Sequence, residues 1–410
     1  MQPLNRPSTV NASAAWGIPL FYAVAVLART VVIVVIPTLA FRHFDNASLV
    51  SGIYFIASLG GLLASLLLPA ILKAIGPWRL TLVASAMGVL SAMLFLRSDT
   101  LSILIGLSTY LLMVQLFETV CNVYALHMIP RRDMARFEPR RMLMAGVAYG
   151  SGPIIGMTLL RHGFTWSPFL ISAACAILAP IVLVILVDSV RETLPASPAA
   201  QRPQRAIRQF LRQPRLRLAW ILAIGRAAWW QVFFVYTPIL VIAAGYDASD
   251  TGAITGIASG LLLLSPIWGL WMRSIGLRRH LTIAYATCGI ATMVTGLLAE
   301  WSLPWAMVAL MAAALAASGI DSAGNAPFLR SVRQRDRLQM VPIYNSYREM
   351  SQIVPAAVFT LVLMVQDVSH VFQWLGMSLI VLSLSCRNLP RRACMDRLRQ
   401  DGAAAPMAAR

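Results

Sequence analysis

Acidic residues are scarce in this chain: 16 Asp and Glu stand beside 34 Lys and Arg, and charge of either sign makes up only 12% of 410 residues. A soluble domain carries about 25% charged residues, so this composition excludes a surface built for water on all sides. Lysine is nearly absent, with Lys73 its one example. The five cysteines (Cys121, Cys175, Cys288, Cys386 and Cys394) show no metal-like or redox spacing and read as small apolar packing residues. Also missing are His-Glu-x-x-His, Gly-x-Ser-x-Gly and a Walker loop, the usual marks of metalloprotease, serine-hydrolase and ATP-driven chemistry. No enzyme, cofactor or metal site is expected.

Apolar sequence is plentiful instead, at 58% of residues with a mean hydropathy of +0.71. Crossing a bilayer takes about 20 predominantly apolar residues. Twelve spans are expected, near 15–40, 48–72, 79–97, 101–127, 142–160, 166–188, 218–243, 251–272, 281–299, 303–327, 344–366 and 369–386. The expected fold is therefore an all-α integral membrane protein. One basic residue, Arg6, precedes the first span without a clear cleavage site, so that span is expected to be retained.

The net charge of +18 would point to nucleic acid in a soluble chain, but no reading module accompanies it. Its distribution is a topology signal instead. With both termini inside, the inner segments hold 28 of the 34 Lys and Arg and the outer loops only Arg42, Arg97 and Arg161. Cytoplasmic loops carry the Lys/Arg excess, so a multi-pass protein with both termini cytoplasmic is expected, its basic loops against anionic headgroups. The preference for Arg over Lys points to a GC-rich bacterial genome and so to the bacterial inner membrane.

Four charges fall deep inside expected spans: Arg29, Glu118, Arg226 and Asp321. Each costs roughly 2.5–3.5 kcal/mol at mid-membrane on insertion scales, so such residues face a partner, a cavity or a pathway. Their order, basic then acidic, occurs once in each half. The stretch 190–217 is Pro-rich, basic and without a span, dividing the chain into 1–189, the linker, 218–387 and a basic tail 388–410. A shift of 200 places Gly276 on Gly76 and Arg279 on Arg79. A shift of 203 places Asp321-x-x-x-Asn325 on Glu118-x-x-x-Asn122, and 202 places Pro355 on Pro153. Internal duplication of this kind is a transporter signature, with the site at the repeat interface.

These features resemble the major facilitator superfamily over residues 15–387. That family carries Gly-x-x-x-Asp-Arg-x-Gly-x-Arg-Arg between its second and third helices, echoed between the eighth and ninth. Here the echo reads Gly269-Leu-Trp-Met-Arg273-Ser-Ile-Gly276-Leu-Arg278-Arg279, and the first copy Pro69-Ala-Ile-Leu-Lys73-Ala-Ile-Gly76-Pro-Trp-Arg79. Lys73 and Arg273 replace the usual acid, a departure from the family's pattern in both copies. The fifth span reads Gly150-Ser-Gly152-Pro153-Ile-Ile-Gly156, similar to the antiporter motif of the drug:proton exporter branches. The exporters' Arg-x-x-Gln motif survives only as Leu112-x-x-Gln115.

The resemblance implies two pseudo-symmetric six-helix bundles, with the first, fourth, seventh and tenth helices lining a central cavity, and thus one deep charge on each. Arginine is always charged and offers a fork for carboxylate or phosphate, so Arg29 and Arg226, with Asn122 and Asn325, are candidate substrate contacts; ion pairs with Glu118 and Asp321 are the alternative. Glu118 and Asp321 can change protonation state and are candidate proton-coupling acids. Tyr347, Arg348 and Glu349 sit near the cytoplasmic end of the eleventh span as a candidate gate. Of the five histidines only His127 falls well inside an expected span. The implied function is proton-coupled export of a small anionic or zwitterionic organic molecule, a drug, metabolite or siderophore, by a monomer driven by the proton gradient. Uptake of an organic anion by symport or exchange, and cationic multidrug efflux, are the alternatives.

Overall fold

The computed structural model describes residues 12–97, 99–129, 134–187, 203–247, 250–332 and 337–389. The linker residues 190–202 and the tail from 390 onward lie outside them. All regular structure among the described residues is helical.

Among the described residues, eleven helices are long and apolar enough to cross a membrane. They are α1 (Ala14–Phe44), α2 (Ala47–Leu68), α3 (Ala70–Phe95), α4 (Thr100–Ala125), α5 (Arg140–Arg161), α6 (Ser167–Leu186), α7 (Pro214–Ala243), α8 (Asp250–Ile275), α9 (Leu277–Ala299), α10 (Leu303–Ser331) and, last in the chain, α12 (Val368–Asn388). The expected span at 344–366 is a shorter helix, α11 (Tyr347–Val362), separated at Ser346 from a short helix Arg337–Asn345. Large apolar side chains such as Leu66 and Ile185 point outward, about 70% and 72% exposed, as expected where lipid replaces water. Caps start two spans: Asn46 accepts the Leu49 N–H at 3.1 Å, and Asp99 the Ser102 N–H at 3.1 Å.

The sequence repeat has a backbone counterpart. Gly76 (φ 77°, ψ 166°) and Gly276 (φ 88°, ψ 148°) occupy the same region, essentially closed to residues with a Cβ. Gly76 kinks the chain near the start of α3, and Gly276 turns it between α8 and α9. Lys73, Arg79, Arg273 and Arg279 around them are exposed, while Leu80 and His280, the residues after the two arginines, are buried.

Several spans are interrupted. In α1 the helix breaks at residues 31–34, where Pro37 has no N–H to offer the preceding turn. A 3-10 turn, Leu261–Leu264, interrupts α8 ahead of Pro266. In α10 regular helix stops at Ser322 and restarts at Ala326, ahead of Pro327. Its counterpart α4 is helical without a break.

Two compact units result. One joins the first six spans to Val232–Gly260 and Gln352–Val368 of the second half; the other holds the second half's remainder, including Leu261–Ser351 and the last span from Ser369. In the first unit the two sequence halves meet at one end. Ser51 lies 2.6 Å from the Tyr236 hydroxyl and donates to the Ala356 carbonyl at 3.0 Å, and Ser48 donates to the Thr360 carbonyl at 2.9 Å. The α5 and α8 backbones are close enough that a Cβ on Gly252 would lie 2.5 Å from the Met157 Cβ, and one on Gly256 2.6 Å from the Gly150 carbonyl oxygen. Arg42 and Asp247 stand 4.0 Å apart at the exposed rim.

Candidate functional site

The first unit centres its polar groups on Arg29, at the last regular turn of α1 before the break. The glycines of α5 set its position. A Cβ on Gly152 would collide with Thr30, and one on Gly156 with the Val31 carbonyl, so only glycine lets α5 approach the broken turn. Thr30 closes the contact by donating to the Ala148 carbonyl at 2.9 Å. This brings Tyr149, next along α5, to Arg29: Nη1 donates to the Tyr149 hydroxyl at 2.9 Å, and the guanidinium lies 5.7 Å from that ring's centroid. Tyr110 of α4 donates to the Arg29 carbonyl at 3.1 Å. Tyr149 in turn stacks on Phe234, centroids 6.4 Å apart and planes at 25°. Glu118 is half-buried and within electrostatic reach of Arg29. Among the described residues no carboxylate comes within the 4.0 Å of an ion pair with Arg29.

The second unit repeats the device with one change. Arg226 of α7 donates from Nη2 to the Tyr347 hydroxyl at 3.3 Å and lies 5.6 Å from that ring's centroid. Its Nη1 also stands 3.5 Å from Asp321 Oδ1, the two side chains 14% and 22% exposed. Trp230, one helical turn after Arg226, donates its indole N–H to Asp321 Oδ2. Arg226 thus has an ion-pair partner, whereas Arg29 has a neutral phenol. Tyr347 belongs to an aromatic group with Tyr344 (centroids 5.2 Å apart) and Phe328, which stacks on Tyr344 at 4.2 Å.

The remaining expected residues have other partners. Asn122 accepts from Arg141 Nη1 at 3.0 Å, and the exposed Asn325 lies 3.4 Å from the Tyr344 hydroxyl. Arg348 is 5.9 Å from the Tyr347 ring centroid, and Glu349 is in the first turn of α11. Histidine is a correction. His127 is exposed, with Nδ1 2.9 Å from its own helix's Val123 carbonyl, while the deeply placed histidine is His280, fully buried. The expected ninth span began at 281, whereas the helix begins at Leu277 and takes His280 inside. Tyr149 was not a sequence candidate either. Its signal was the repeat itself: the offset from Arg29 to Arg226 carries Tyr149 to within one residue of Tyr347.

The arrangement provides two guanidinium–phenol pairs, one of them with a carboxylate at 3.5 Å. The sequence profile of the Major Facilitator Superfamily matches residues 18–355. No curated protein matches the chain. Among solved structures, the chain is similar to a POT family transporter in complex with 5-aminolevulinic acid (TM-score 0.69, 12% identity, 90% of this chain and 94% of that one). It is also similar to a bacterial homologue of the iron transporter ferroportin in an inward-facing state (0.67, 12%, 94% and 100%) and to a D-xylose–proton symporter (0.65, 13%, 93% and 97%). With the profile covering most of its length and the helices of the fold in place, this chain belongs to the Major Facilitator Superfamily of secondary transporters.

Proposed function

We propose that the protein exports a small organic anion or zwitterion, a drug, metabolite or siderophore, in exchange for protons by alternating access between two six-helix bundles, 1–189 and 218–387. The carrying observation is the difference between the two arginines. Arg226 is matched by Asp321 at 3.5 Å, so that pair is suited to gain and lose a proton; Arg29 bonds to a hydroxyl and lies against its ring, which leaves its fork for an anionic ligand. Glu118, close to Arg29, is the second candidate proton site. A molecule of this chemical class, 5-aminolevulinic acid, occupies one of the similar structures. A metal ion as cargo would need a donor cluster, and no group of three or more His, Cys, Asp or Glu gathers among the described residues.

The Arg distribution supports both termini, the linker and the Gly76 and Gly276 turns on the cytoplasmic side of a bacterial inner membrane. The end sealed by Ser51, Tyr236, Gly252 and Gly256 is then the outer gate, here closed. Direction of transport rests on the Gly152-Pro153-x-x-Gly156 resemblance. Metabolite profiling of a deletion strain tests it: loss of a compound from the medium supports export, and failure to use an external compound replaces it with uptake.

Substitution at Arg29 tests the anchor. Arg29→Lys keeps the charge but loses the fork that engages an anion while bonded to Tyr149. Substrate affinity is expected to fall about ten- to a hundredfold, equivalent to roughly 1.5–3 kcal/mol. If Arg29 merely balanced Glu118, Arg29→Gln with Glu118→Gln would restore transport at unchanged affinity. Binding measured for each variant separates the two, and rescue in the double variant would exclude Arg29 as a ligand contact.

A further inference from the structure

We propose that His280 is a positioning residue for Asp321, holding the break in α10 that presents the carboxylate to Arg226 and Trp230. The inference rests on the reading of Asp321 as a coupling acid. It starts from the repeat. At the position of His280 the first half carries Leu80, buried to 1% exposure, and the partner helix there, α4, is regular. In the second half a histidine is equally buried and the partner helix α10 is broken. The polar substitution and the break occur together.

Their hydrogen bonds connect them. In an unbroken helix the Ala323 N–H would bond to the Gly319 carbonyl four residues earlier. Here it turns to the Ile320 carbonyl at 3.2 Å, and the Gly324 N–H bonds to the Asp321 carbonyl at 2.9 Å, with Gly324 at φ +49°. The Gly319 carbonyl is left without its helical donor. His280 Nε2 lies 2.8 Å from it, so Nε2 carries the proton, and the Ser322 hydroxyl donates to the same oxygen at 2.7 Å. A buried carbonyl stripped of its helical donor needs replacements; Ser322, inside α10, supplies one, and His280 supplies the one that comes from a neighbouring helix and so ties the broken form to α9.

Two tryptophans fix the imidazole. Trp271 meets it edge-on with centroids 5.2 Å apart, and Trp268, tilted at 6.4 Å, donates its indole N–H to Ser318 at 2.9 Å. Nδ1 is buried without a hydrogen-bond partner, which leaves the Gly319 carbonyl and Ser322 as the ring's polar contacts. Asp321 is faced by Arg226 and Trp230 from α7 and is within electrostatic reach of Tyr285 and Cys288 on α9. His280 does not touch the carboxylate; it acts through two residues of α10 backbone.

The test uses the full chain in detergent and in lipid nanodiscs. His280→Leu removes the donor and restores the first half's residue, while His280→Gln keeps an N–H. Hydrogen exchange at the amides of 323–326 is expected to change about three- to tenfold in His280→Leu and to return to the parent rate in His280→Gln. His280→Phe, which keeps a ring against Trp271, is read in place of the leucine variant if that one fails to fold. The pH-dependent component of tryptophan emission that both Asp321→Asn and Trp230→Phe remove is expected to be lost in the donor-free variant and kept in His280→Gln. Unchanged exchange and emission in a folded donor-free variant overturn the proposal. An emission component that survives Asp321→Asn overturns the coupling role of Asp321 instead, and the exchange measurement still decides whether His280 holds the break.

Discussion

Asp321→Asn is expected to abolish proton-driven accumulation while substrate exchange across the membrane continues. The substitution is nearly isosteric, and its carbonyl oxygen can still accept from Trp230, so the local shape is kept. What disappears is the ionisable group 3.5 Å from Arg226. Coupling to protons needs a group in the site that gains and loses a proton once per cycle, and an amide cannot. Breaking a fully buried pair by removing one partner costs about 3–5 kcal/mol. Side-chain exposures of 14% and 22% place this pair below that range, since it is not fully buried. Arg226→Gln in the Asp321→Asn background is then expected to recover thermal stability without recovering accumulation, since both charges leave together. The comparison is made in proteoliposomes under an imposed pH gradient, with exchange of labelled substrate at equal pH as the control. Full, pH-dependent accumulation by Asp321→Asn would move the proton site elsewhere. Glu118→Gln is then the next variant to examine.

Gly256→Val is expected to hold the outer gate open and to reduce transport by about tenfold or more, as overpacking of 1–3 kcal/mol on the closed state alone shifts the equilibrium by that order. A Cβ at Gly256 would lie 2.5 Å from the Ile154 side chain and 2.6 Å from the Gly150 carbonyl oxygen. Ile154 can rotate away; the carbonyl belongs to the α5 backbone and cannot. The contact joins the two sequence halves, so the strain falls on the closed gate rather than on either half by itself. Gly156 makes the opposite case. Its neighbour is the Val31 carbonyl of the same half, and Gly156→Ala is expected to damage folding rather than gating. Labelling from outside separates these outcomes. A cysteine placed at Tyr236, 3% exposed beside Ser51 in the closed gate, should react with an impermeant reagent much faster in Gly256→Val than in the parent. Equal labelling together with full transport would show that the α5–α8 contact does not gate the outer side.

Eleven of the twelve expected spans were legible in the sequence because the bilayer imposes a length of apolar residues; the expected 344–366 span is the shorter helix α11. Gly76 and Gly276 were legible for a related reason: a backbone conformation that only glycine adopts leaves the same letter in both copies of the repeat. The four intramembrane charges stood out because each is costly in lipid. Their partners did not. Tyr149 and Trp230 are ordinary residues of apolar spans, and nothing local distinguishes a tyrosine that bonds to Arg29 from one that packs. His280 was hidden by a boundary four residues out, and its meaning depends on a carbonyl freed by a break in another helix. Pairing is a property of distances between spans, and the hydropathy pattern constrains each span separately. Sequence alone therefore determined where the long apolar helices lie, which positions repeat and where charge falls within them. The tertiary structure decided that Arg226 stands 3.5 Å from Asp321 while Arg29 bonds to Tyr149, because that depends on which side chains the packing of α1 on α5 and of α7 on α10 brings within 4 Å.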